Sequence, residues 1–387
     1  MFGLFKKKTA PAGDQKAKKK RGQRGRRGNA KRFANGDGAS VLPLKTSGKT
    51  ITHMNLDVND ARVYFGALGG MEEIGCNLYL YGTGGDWIIV DLGIGFADER
   101  LPGAQRRIPD VSFLKSIKGR IRGILLTHSH YDHFAAIADV WEEIRCPVWG
   151  TPFALEMLAH MLAEKGLGRK VEMNRVDPAG ESFKLGAFEV EYIHATHSIP
   201  ESSFIVLRTP QGLIFHSGDF RFDPEPVIGA TTDMERLAEL GREGVLACMC
   251  ESTNSLIHES GRTEKTAAEE LFKTMSSIKS GKIVVTCFAT SIARVSSVWE
   301  AAKKLGRKLA VAGRSFHINI AAAKKCGYLS DLDYIEINDA VKMADDEVIY
   351  LCTGTQGEPR STITRLASET YANLHIGAGD TVIFSSR

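Results

Sequence analysis

The sequence lacks the features of a membrane-anchored or secreted protein. No stretch of its 387 residues approaches the roughly 18 uncharged apolar residues that a membrane span needs, and no apolar signal region follows the N-terminus. The seven cysteines are an odd number and include no Cys-x-x-Cys pair. This pattern is typical of reduced thiols that pack mostly as small apolar groups. It predicts a cytoplasmic protein that does not enter a membrane.

Acidic residues are nearly absent from the first 50 positions, which hold 15 of the 50 Lys and Arg residues and only two acids. The net charge of this part is +13, whereas the remainder has 35 basic and 44 acidic residues, a net of −9. Because such a segment buries almost no apolar surface, we predict a disordered basic tail over residues 1–60. Two uses fit its composition: an arm that binds the phosphates of a nucleic acid, or a solubilising or targeting extension.

The rest of the chain divides into two patterns of strands and helices. Between residues 61 and 240, short apolar runs broken by glycine clusters predict a sheet-rich α/β domain with antiparallel hairpins. After about Leu240 strands and helices alternate strictly, which predicts a second α/β domain of parallel strands over residues 241–387. The strands predicted there are Val245–Cys250, Lys282–Cys287, Lys308–Ala312, Val348–Cys352 and Thr381–Phe384.

Ligand-type side chains cluster directly after the predicted strand Gly123–Thr127, at His128, His130, Asp132 and His133. His128 and His130 are two apart and face the same side of an extended segment, so both can reach one divalent ion. Asp132 and His133 are adjacent and diverge, so the same loop can supply a second ion beside the first. Two ions about 3.5–4 Å apart polarise a phosphoryl or carbonyl oxygen and hold a bridging hydroxide. Imidazole and carboxylate ligands without thiolate favour zinc, with manganese as the alternative.

Two later loops supply residues that complete this set. His197 follows the predicted strand Phe188–Ile193 and is a candidate third histidine for the first ion. Asp219 ends a later strand and is a candidate bridging carboxylate for the pair. His194 and His216 precede these loops inside apolar runs, so we interpret both as strand histidines. Either could also be a hydrogen-bond partner behind the metal ligands.

These motifs resemble a known family. His-x-His-x-Asp-His after a strand, with a later lone His and a Ser-Gly-Asp, resembles the metallo-β-lactamase superfamily of hydrolases. Three segments are similar to further motifs of the ribonuclease J family: Gly69–Asn77, Val90–Gly93 and His197–Ser202. Four later segments are similar to landmarks of the β-CASP domain inserted in that family: Glu251–Asn254, Phe288–Thr290, Val311–Ser315 and Thr353–Pro359.

The resemblance implies an α/β fold in which residues 61–240 form the N-terminal portion of a metallo-β-lactamase αββα-type sandwich. Residues 241–387 would form an inserted β-CASP domain of parallel strands. It also implies the metal ligands: His128, His130 and His197 for one ion, Asp132 and His133 for the other, and Asp219 for both. Glu251 matches the acidic residue of the first β-CASP motif, which the family links with proton transfer. We therefore predict Glu251, Asp132 and Asp219 as catalytic residues, although sequence alone equally allows Glu251 a helix-capping role.

The resemblance also leads us to expect a truncated chain, because ribonuclease J continues past the point where this sequence stops. In that case the β-CASP domain is incomplete and the closing strands of the metal domain lie elsewhere. The second metal ion would then lack one histidine ligand in this chain, and whether the truncated chain is active stays open.

The implied function is metal-dependent hydrolysis of RNA phosphodiester bonds, both 5′-to-3′ exonucleolytic and internal, in mRNA decay and rRNA maturation. The implied partners are RNA, further copies of the full-length chain, and the ribosome or the RNA-degradation machinery. Three alternatives stay open: a non-catalytic RNA-binding subunit, a DNA-processing β-CASP nuclease and a small-molecule metallo-hydrolase. The last of these would need neither the α/β insertion after Leu240 nor the basic tail.

Overall fold

The computed structural model describes residues 62–96, 103–104, 106–257, 261–358, 360–371 and 373–386. The basic tail predicted over residues 1–60 lies outside these ranges. No helix in the described ranges combines the length and the apolarity that crossing a bilayer requires. All seven cysteines are free thiols, and four of them are buried, as the sequence predicted for most.

The first half of the described chain consists mainly of strands. They are β1 Tyr64–Gly69, β2 Leu78–Thr83, β3 Asp86–Val90, β4 Gly95–Phe96, β5 Arg106–Arg107, β6 Ile121–Leu125, β7 Val148–Gly150, β8 Met173–Arg175, β9 Phe183–Leu185, β10 Phe188–His194, β11 Ser203–Thr209, β12 Gly212–His216 and β13 Val245–Met249. The helices among them are α1 Ser112–Ser116, α2 Tyr131–Phe134, α3 Ile137–Ile144, α4 Pro152–Glu164 and α5 Met234–Glu243. A 3₁₀ turn at Lys118–Arg120 precedes β6.

The second half alternates helices and strands. Its helices are α6 Glu264–Ser277, α7 Ile292–Lys304, α8 Arg314–Lys325, α9 Ile337–Ala340 and α10 Thr362–Ala367. Its strands are β14 Ile283–Thr286, β15 Lys308–Ala312, β16 Val348–Cys352 and β17 Thr381–Phe384. Local sequence fixes several helix starts: Thr263 accepts a hydrogen bond from the amide of Thr266 at 3.1 Å ahead of α6, and Pro152 is the first residue of α4.

Two sheets of the first half face each other with helices outside them. One sheet has the order β1-β2-β3-β6-β7-β8 and the other the order β13-β12-β11-β10-β9. Strand β3 is apolar on both faces: Ile88 and Val90 belong to the core between the sheets, while Trp87 and Ile89 belong to the core shared with α3 and α4. Helix α5 covers the outer face of the second sheet through Leu240. This layering is the αββα sandwich that the resemblance implied.

The second half forms a parallel sheet of order β15-β16-β14-β17, covered by helices on both faces. Leu271 of α6, Val295 of α7 and Phe316 of α8 belong to the core that also lies beside the first sheet. Ala340 of α9 and Leu366 of α10 pack with the opposite face. The parallel α/β architecture predicted for this region is confirmed.

Two elements differ from the sequence prediction. The strand expected to begin the parallel run, β13, instead pairs in parallel with β12 at the edge of the second sheet. The helical pattern of the sequence runs from Phe134 to Ile144 without a break, but α2 ends at Phe134 and α3 begins only at Ile137. The prediction assigned this strand to the wrong sheet, because a β-α-β pattern indicates that a strand is parallel but not which sheet it joins. The domain boundary expected near residue 240 stays a prediction.

Candidate metal centre

The candidate site lies where three chain segments leave the two sheets. His128 and His130 follow β6 of the first sheet, while His197 follows β10 and Asp219 follows β12 of the second sheet. The amide of Ser203, the first residue of β11, donates to the carbonyl of Thr127 at 3.0 Å and so joins the two sheets at this end. Face-to-face packing therefore brings together loops that lie far apart in sequence.

Four side chains converge there: His128, His130, His197 and Asp219. One potential ligand atom from each lies within 4.8 Å of all the others. Nδ1 of His130 is 3.0 Å from Nε2 of His128 and 3.1 Å from Nε2 of His197. The three imidazole planes are nearly perpendicular to one another, with interplanar angles of 80° to 85°. Three ring nitrogens and a carboxylate thus point at a common centre.

The charge states of these groups suit a cation. Burial lowers the pKa of His130 to about 4 and that of His197 to about 3, and it holds the pKa of His128 well below its ordinary value. All three imidazoles are therefore neutral at pH 7 and have lone pairs to offer. Burial alone would raise the pKa of Asp219, but the charge of His133 and a hydrogen bond from it outweigh burial and lower that pKa.

A zinc ion fits this donor set. With Zn–N bonds of about 2.0–2.1 Å, a tetrahedral site places its ligand nitrogens about 3.3 Å apart, close to the separations found here. The donor set has nitrogen and oxygen atoms without thiolate, and because imidazole predominates in it, it favours zinc over manganese. The structure therefore brings together every residue that was predicted for the first ion, and the metal that they bind stays a prediction.

Asp132 and His133 lie beside this cluster, on the single turn of α2. Nε2 of His133 is 3.4 Å from Oδ1 of Asp219 and 3.7 Å from Oδ2 of Asp132. Adjacent residues of a helix point in directions about 100° apart, so the side chains of Asp132 and His133 leave the helix in different directions. Burial would lower the pKa of His133, but Asp219 and Asp91 outweigh it and raise this pKa well above its ordinary value. The two carboxylates beside His133 therefore favour a positive charge at this position, which a bound cation would supply in place of the proton.

Asp91 is buried behind both groups of ligands. Its carboxylate accepts hydrogen bonds from the amide of Thr127 at 2.8 Å, from the hydroxyl of Thr127 at 2.7 Å and from Nδ1 of His133 at 2.7 Å. The hydroxyl of Thr127 is in turn 3.0 Å from Nδ1 of His128. Asp91 therefore orients His133 directly and His128 through Thr127, an arrangement typical of the residues behind metal-ligating histidines.

Asn77 contacts Asp132 and His133, although no role in the site was predicted for it. Its Nδ2 donates to the carbonyl of Asp132 at 3.0 Å and lies 3.0 Å from Nε2 of His133. The hydroxyl of Tyr79 donates to Oδ1 of Asn77 at 3.0 Å and so fixes the orientation of the amide. The available signal was its place in the Gly69–Asn77 motif, since a single Asn has no periodic pattern of its own.

Two glycines allow the loops to approach one another. A Cβ at Gly93 would lie 1.6 Å from the carbonyl oxygen of Asp132, so only glycine permits the chain after β3 to pass α2. Gly218 has a φ of +54°, and a Cβ there would lie 2.7 Å from Cβ of Thr127. The glycine of the Ser-Gly-Asp motif therefore lets Asp219 lie against the strand end that precedes His128.

The remaining candidates lie around the cluster rather than in it. The amide of Glu251 donates to Oγ of Ser217 at 3.0 Å, while its carboxylate accepts from the amide of Thr253 at 2.7 Å. This turn keeps Glu251 next to the loop of Asp219, and its catalytic role stays a prediction. His194 and His216 are the last residues of β10 and β12, as interpreted from the sequence. His216 lies 2.8 Å from the hydroxyl of Tyr81.

Comparison with known proteins agrees with this geometry. The sequence model described as the metallo-β-lactamase superfamily matches residues 71–243. The model described as the β-CASP domain of ribonuclease J matches residues 280–387. The two matches cover, respectively, most of the sandwich with its candidate metal centre and the whole parallel sheet.

Curated relatives extend the match along most of the chain. Ribonuclease J of Sinorhizobium meliloti is 35% identical over 333 residues, 85% of this chain and 59% of the relative. Ribonuclease J of Helicobacter pylori strain J99 is 36% identical over 340 residues, 87% of this chain and 49% of the relative. Ribonuclease J 1 of Streptococcus pyogenes is 37% identical, with 87% and 60% covered. The chain therefore spans about half to three fifths of the length of these relatives.

A solved structure shares the fold at low identity. The crystal structure of a protein of unknown function from Enterococcus faecalis V583 matches with a TM-score of 0.58 and 15% identity, covering 84% of this chain and 87% of the other. The two family matches and the curated relatives show that this chain belongs to the ribonuclease J family of the metallo-β-lactamase superfamily.

Proposed function

We propose that the protein is a metal-dependent ribonuclease that hydrolyses RNA phosphodiester bonds at the cluster of His128, His130, His197 and Asp219. The observation that carries this proposal is the convergence of three neutral imidazoles and one ionised carboxylate from separate loops. Family membership supports RNA as the substrate, because the relatives described above are named ribonucleases. No observation favours one of the three alternatives over this function.

We propose two divalent ions, zinc with manganese as the alternative, held by the residues that the sequence indicated. His128, His130, His197 and Asp219 would hold one ion, and Asp132, His133 and Asp219 would hold the other. When bound, such ions neutralise charge on the phosphoryl oxygens and make water nucleophilic at neutral pH. Asp219 stays ionised in this role, because its pKa is held below the ordinary value.

The chain's own residues would orient the reacting groups and move a proton. Asp91 holds the ring of His133 through Nδ1, while Asn77 holds the backbone carbonyl of Asp132 and lies against Nε2 of His133. Glu251, held by Ser217 and Thr253, would take up a proton from the attacking water and pass it to the 3′ oxygen as the bond from that oxygen to phosphorus breaks. The products would be a 3′ hydroxyl and a 5′ phosphate.

The finer parts of the function are proposed on the family resemblance. We propose both 5′-to-3′ exonucleolytic and internal cleavage, acting in mRNA decay and rRNA maturation. We also propose a cytoplasmic location, a homo-oligomeric form, and contact with the ribosome or the RNA-degradation machinery. The basic tail would add affinity for RNA that falls steeply with salt concentration.

Replacing one candidate ligand tests the function. We expect Asp132→Ala to lower the rate of RNA hydrolysis by the zinc-loaded protein at least about a hundredfold. Removing one group that stabilises the reacting centre has an effect of this size. His194→Gln is the matched control, because His194 ends the strand before His197 but bonds the carbonyl of Ala230 instead. Equal rates for Asp132→Ala and the unsubstituted protein would contradict the proposal, as would a complete lack of RNA cleavage by the latter.

A further inference from the structure

Arg221 lies between two loops of the candidate metal centre. It follows Asp219 by two residues, and its amide donates to the carbonyl of Thr196, the residue before His197, at 2.8 Å. The hydroxyl of Thr196 donates back to the carbonyl of Arg221. The backbone of Arg221 is therefore fixed by groups that do not involve its side chain.

Among the residues that the structure describes, the guanidinium of Arg221 has two carboxylate partners, and both are distant. Its nitrogens lie 3.5 Å from a carboxylate oxygen of Glu264 and 3.9 Å from one of Asp223, beyond good hydrogen-bond distance. Both carboxylates are already paired elsewhere. Asp223 accepts the amides of Glu225 at 2.9 Å and Glu264 at 2.7 Å, and Glu264 pairs with Arg294 at 3.1 Å. With 39% of its side chain exposed, Arg221 keeps donors available for an anion from solution.

An exposed aromatic ring adjoins this guanidinium in sequence. Phe222 is 55% exposed. Its ring centroid lies 5.0 Å from that of Phe220 at an interplanar angle of 59°, and Phe220 packs on the buried Phe204 at 5.4 Å. Phe222 is therefore anchored through Phe220 while about half of its surface stays exposed to solvent.

We propose that Arg221 and Phe222 form a subsite for one nucleotide of single-stranded RNA, next to the nucleotide whose phosphate is cleaved. Arg221 binds the phosphate through its fork of N–H donors, and the base stacks on the exposed face of Phe222. This inference rests on the proposed function, because it assigns the strand that the metal centre would cut. The chemistry fits single strands, since an exposed ring stacks on any base that is not already paired.

RNA binding without cleavage provides the first test. Affinity for a labelled single-stranded hexaribonucleotide is measured by fluorescence anisotropy on zinc-loaded protein that has Asp132→Ala, over a series of salt concentrations. We expect Arg221→Gln to weaken binding about tenfold and to reduce the slope of log affinity against log salt by about 0.7, the value for one phosphate of a single strand. Arg221→Lys should keep the slope and lose less affinity, because it keeps the charge but not the planar fork.

The base contact is tested with a modified oligonucleotide. We expect Phe222→Ala to weaken binding of the unmodified hexamer about tenfold. Hexamers that each have one abasic position are then compared. At one position, loss of the base should weaken binding to protein with Phe222 by the same factor. The affinity of Phe222→Ala should not fall further at that position. Phe222→Trp keeps an aromatic ring and should bind the unmodified hexamer as well as the unsubstituted protein does. Contacts made by the basic tail cancel in these comparisons, because the tail is the same in every variant.

Arg122→Gln is the matched control. Arg122 of β6 is a similarly exposed arginine that pairs with Asp86 at 2.6 Å and lies away from His128. An unchanged salt slope in Arg221→Gln, or equal effects of Arg122→Gln and Arg221→Gln, would overturn the subsite. So would a lowered melting temperature without any change in RNA affinity, which is the result of a purely structural role. Hydrolysis by protein without the Asp132 substitution is measured in parallel. Its absence contradicts the proposed function, whereas intact hydrolysis with unchanged binding contradicts the subsite alone.

Discussion

The two halves of the candidate metal centre are organised differently. The half made by His128, His130, His197 and Asp219 draws its donors from three loops and two sheets, and its donor atoms already face a common point. The half made by Asp132 and His133 comes from one turn of α2 and supplies two donors of its own, which lie beside the shared Asp219. The comparison teaches that tertiary packing preorganises the first half, so that it should bind its ion more tightly than the second half.

Removing one histidine from each half breaks this comparison most strongly. We expect His197→Ala to lower zinc affinity by more than about a hundredfold, since even residues behind the ligands contribute 10–100-fold. We expect His133→Ala to keep one zinc ion per chain, because the four converging donors stay in place. Zinc per chain is measured by mass spectrometry after dialysis. Loss of all zinc from His133→Ala would contradict an independent first half.

Asp91 sharpens the comparison because it contacts both halves. We expect Asp91→Asn to lower zinc affinity about 10–100-fold at both positions, since the amide cannot accept all the N–H and O–H groups that the carboxylate accepts. Zinc titration with a competing chelator measures the effect. Asp223→Asn is the control, because Asp223 is also buried and accepts two amides but belongs to neither half. Equal losses in the two variants would refute an orienting role for Asp91.

The smallest effect is expected at Glu191 of β10, the strand that leads to His197. Burial would raise the pKa of Glu191, but hydrogen bonds from Arg236 and Arg208 outweigh it and lower that pKa. A lowered pKa in the folded state means that this stabilisation is complete above the ordinary value of 4.5 and is lost as the pH falls further. We expect Glu191→Gln to reduce the free energy of unfolding by about 1 kcal/mol at pH 7 and by much less in acid.

Urea unfolding at pH 7 and at pH 4 measures this difference, and zinc content is determined on the same samples. Glu191→Gln should leave the zinc content unchanged, because its partners are arginines on the outer side of β10 and not metal ligands. A constant loss of stability at both pH values would contradict the ionic origin of the effect.

Strands were predictable wherever an apolar run is bounded by turn residues. The bounds of β15, β16 and β17 in the structure are those expected from the sequence. The break between α2 and α3 was not predictable, because the apolar pattern continues across Ala135 and Ala136. The sheet that β13 joins was equally hidden, since the pattern of a parallel strand is the same at either sheet.

Within the site, the four ligand-type residues after β6 were recognisable from spacing alone, because they lie in one short segment. Asn77 was not, since its contacts are to Asp132 and His133, which lie more than 50 positions later in the chain. Glu251 matched a motif, but its carboxylate accepts the amide of Thr253, as a capping side chain would.

The sequence by itself determined which donors are present, their order along the chain, and the spacing that lets His128 and His130 share an ion. Only the tertiary structure decided that His197 and Asp219 join them, that Asp91 contacts both halves, and that Arg221 lies beside the loop of His197. The physical reason is that short-range spacing is fixed by backbone geometry, whereas the meeting of distant loops depends on how two sheets pack, which no local pattern specifies.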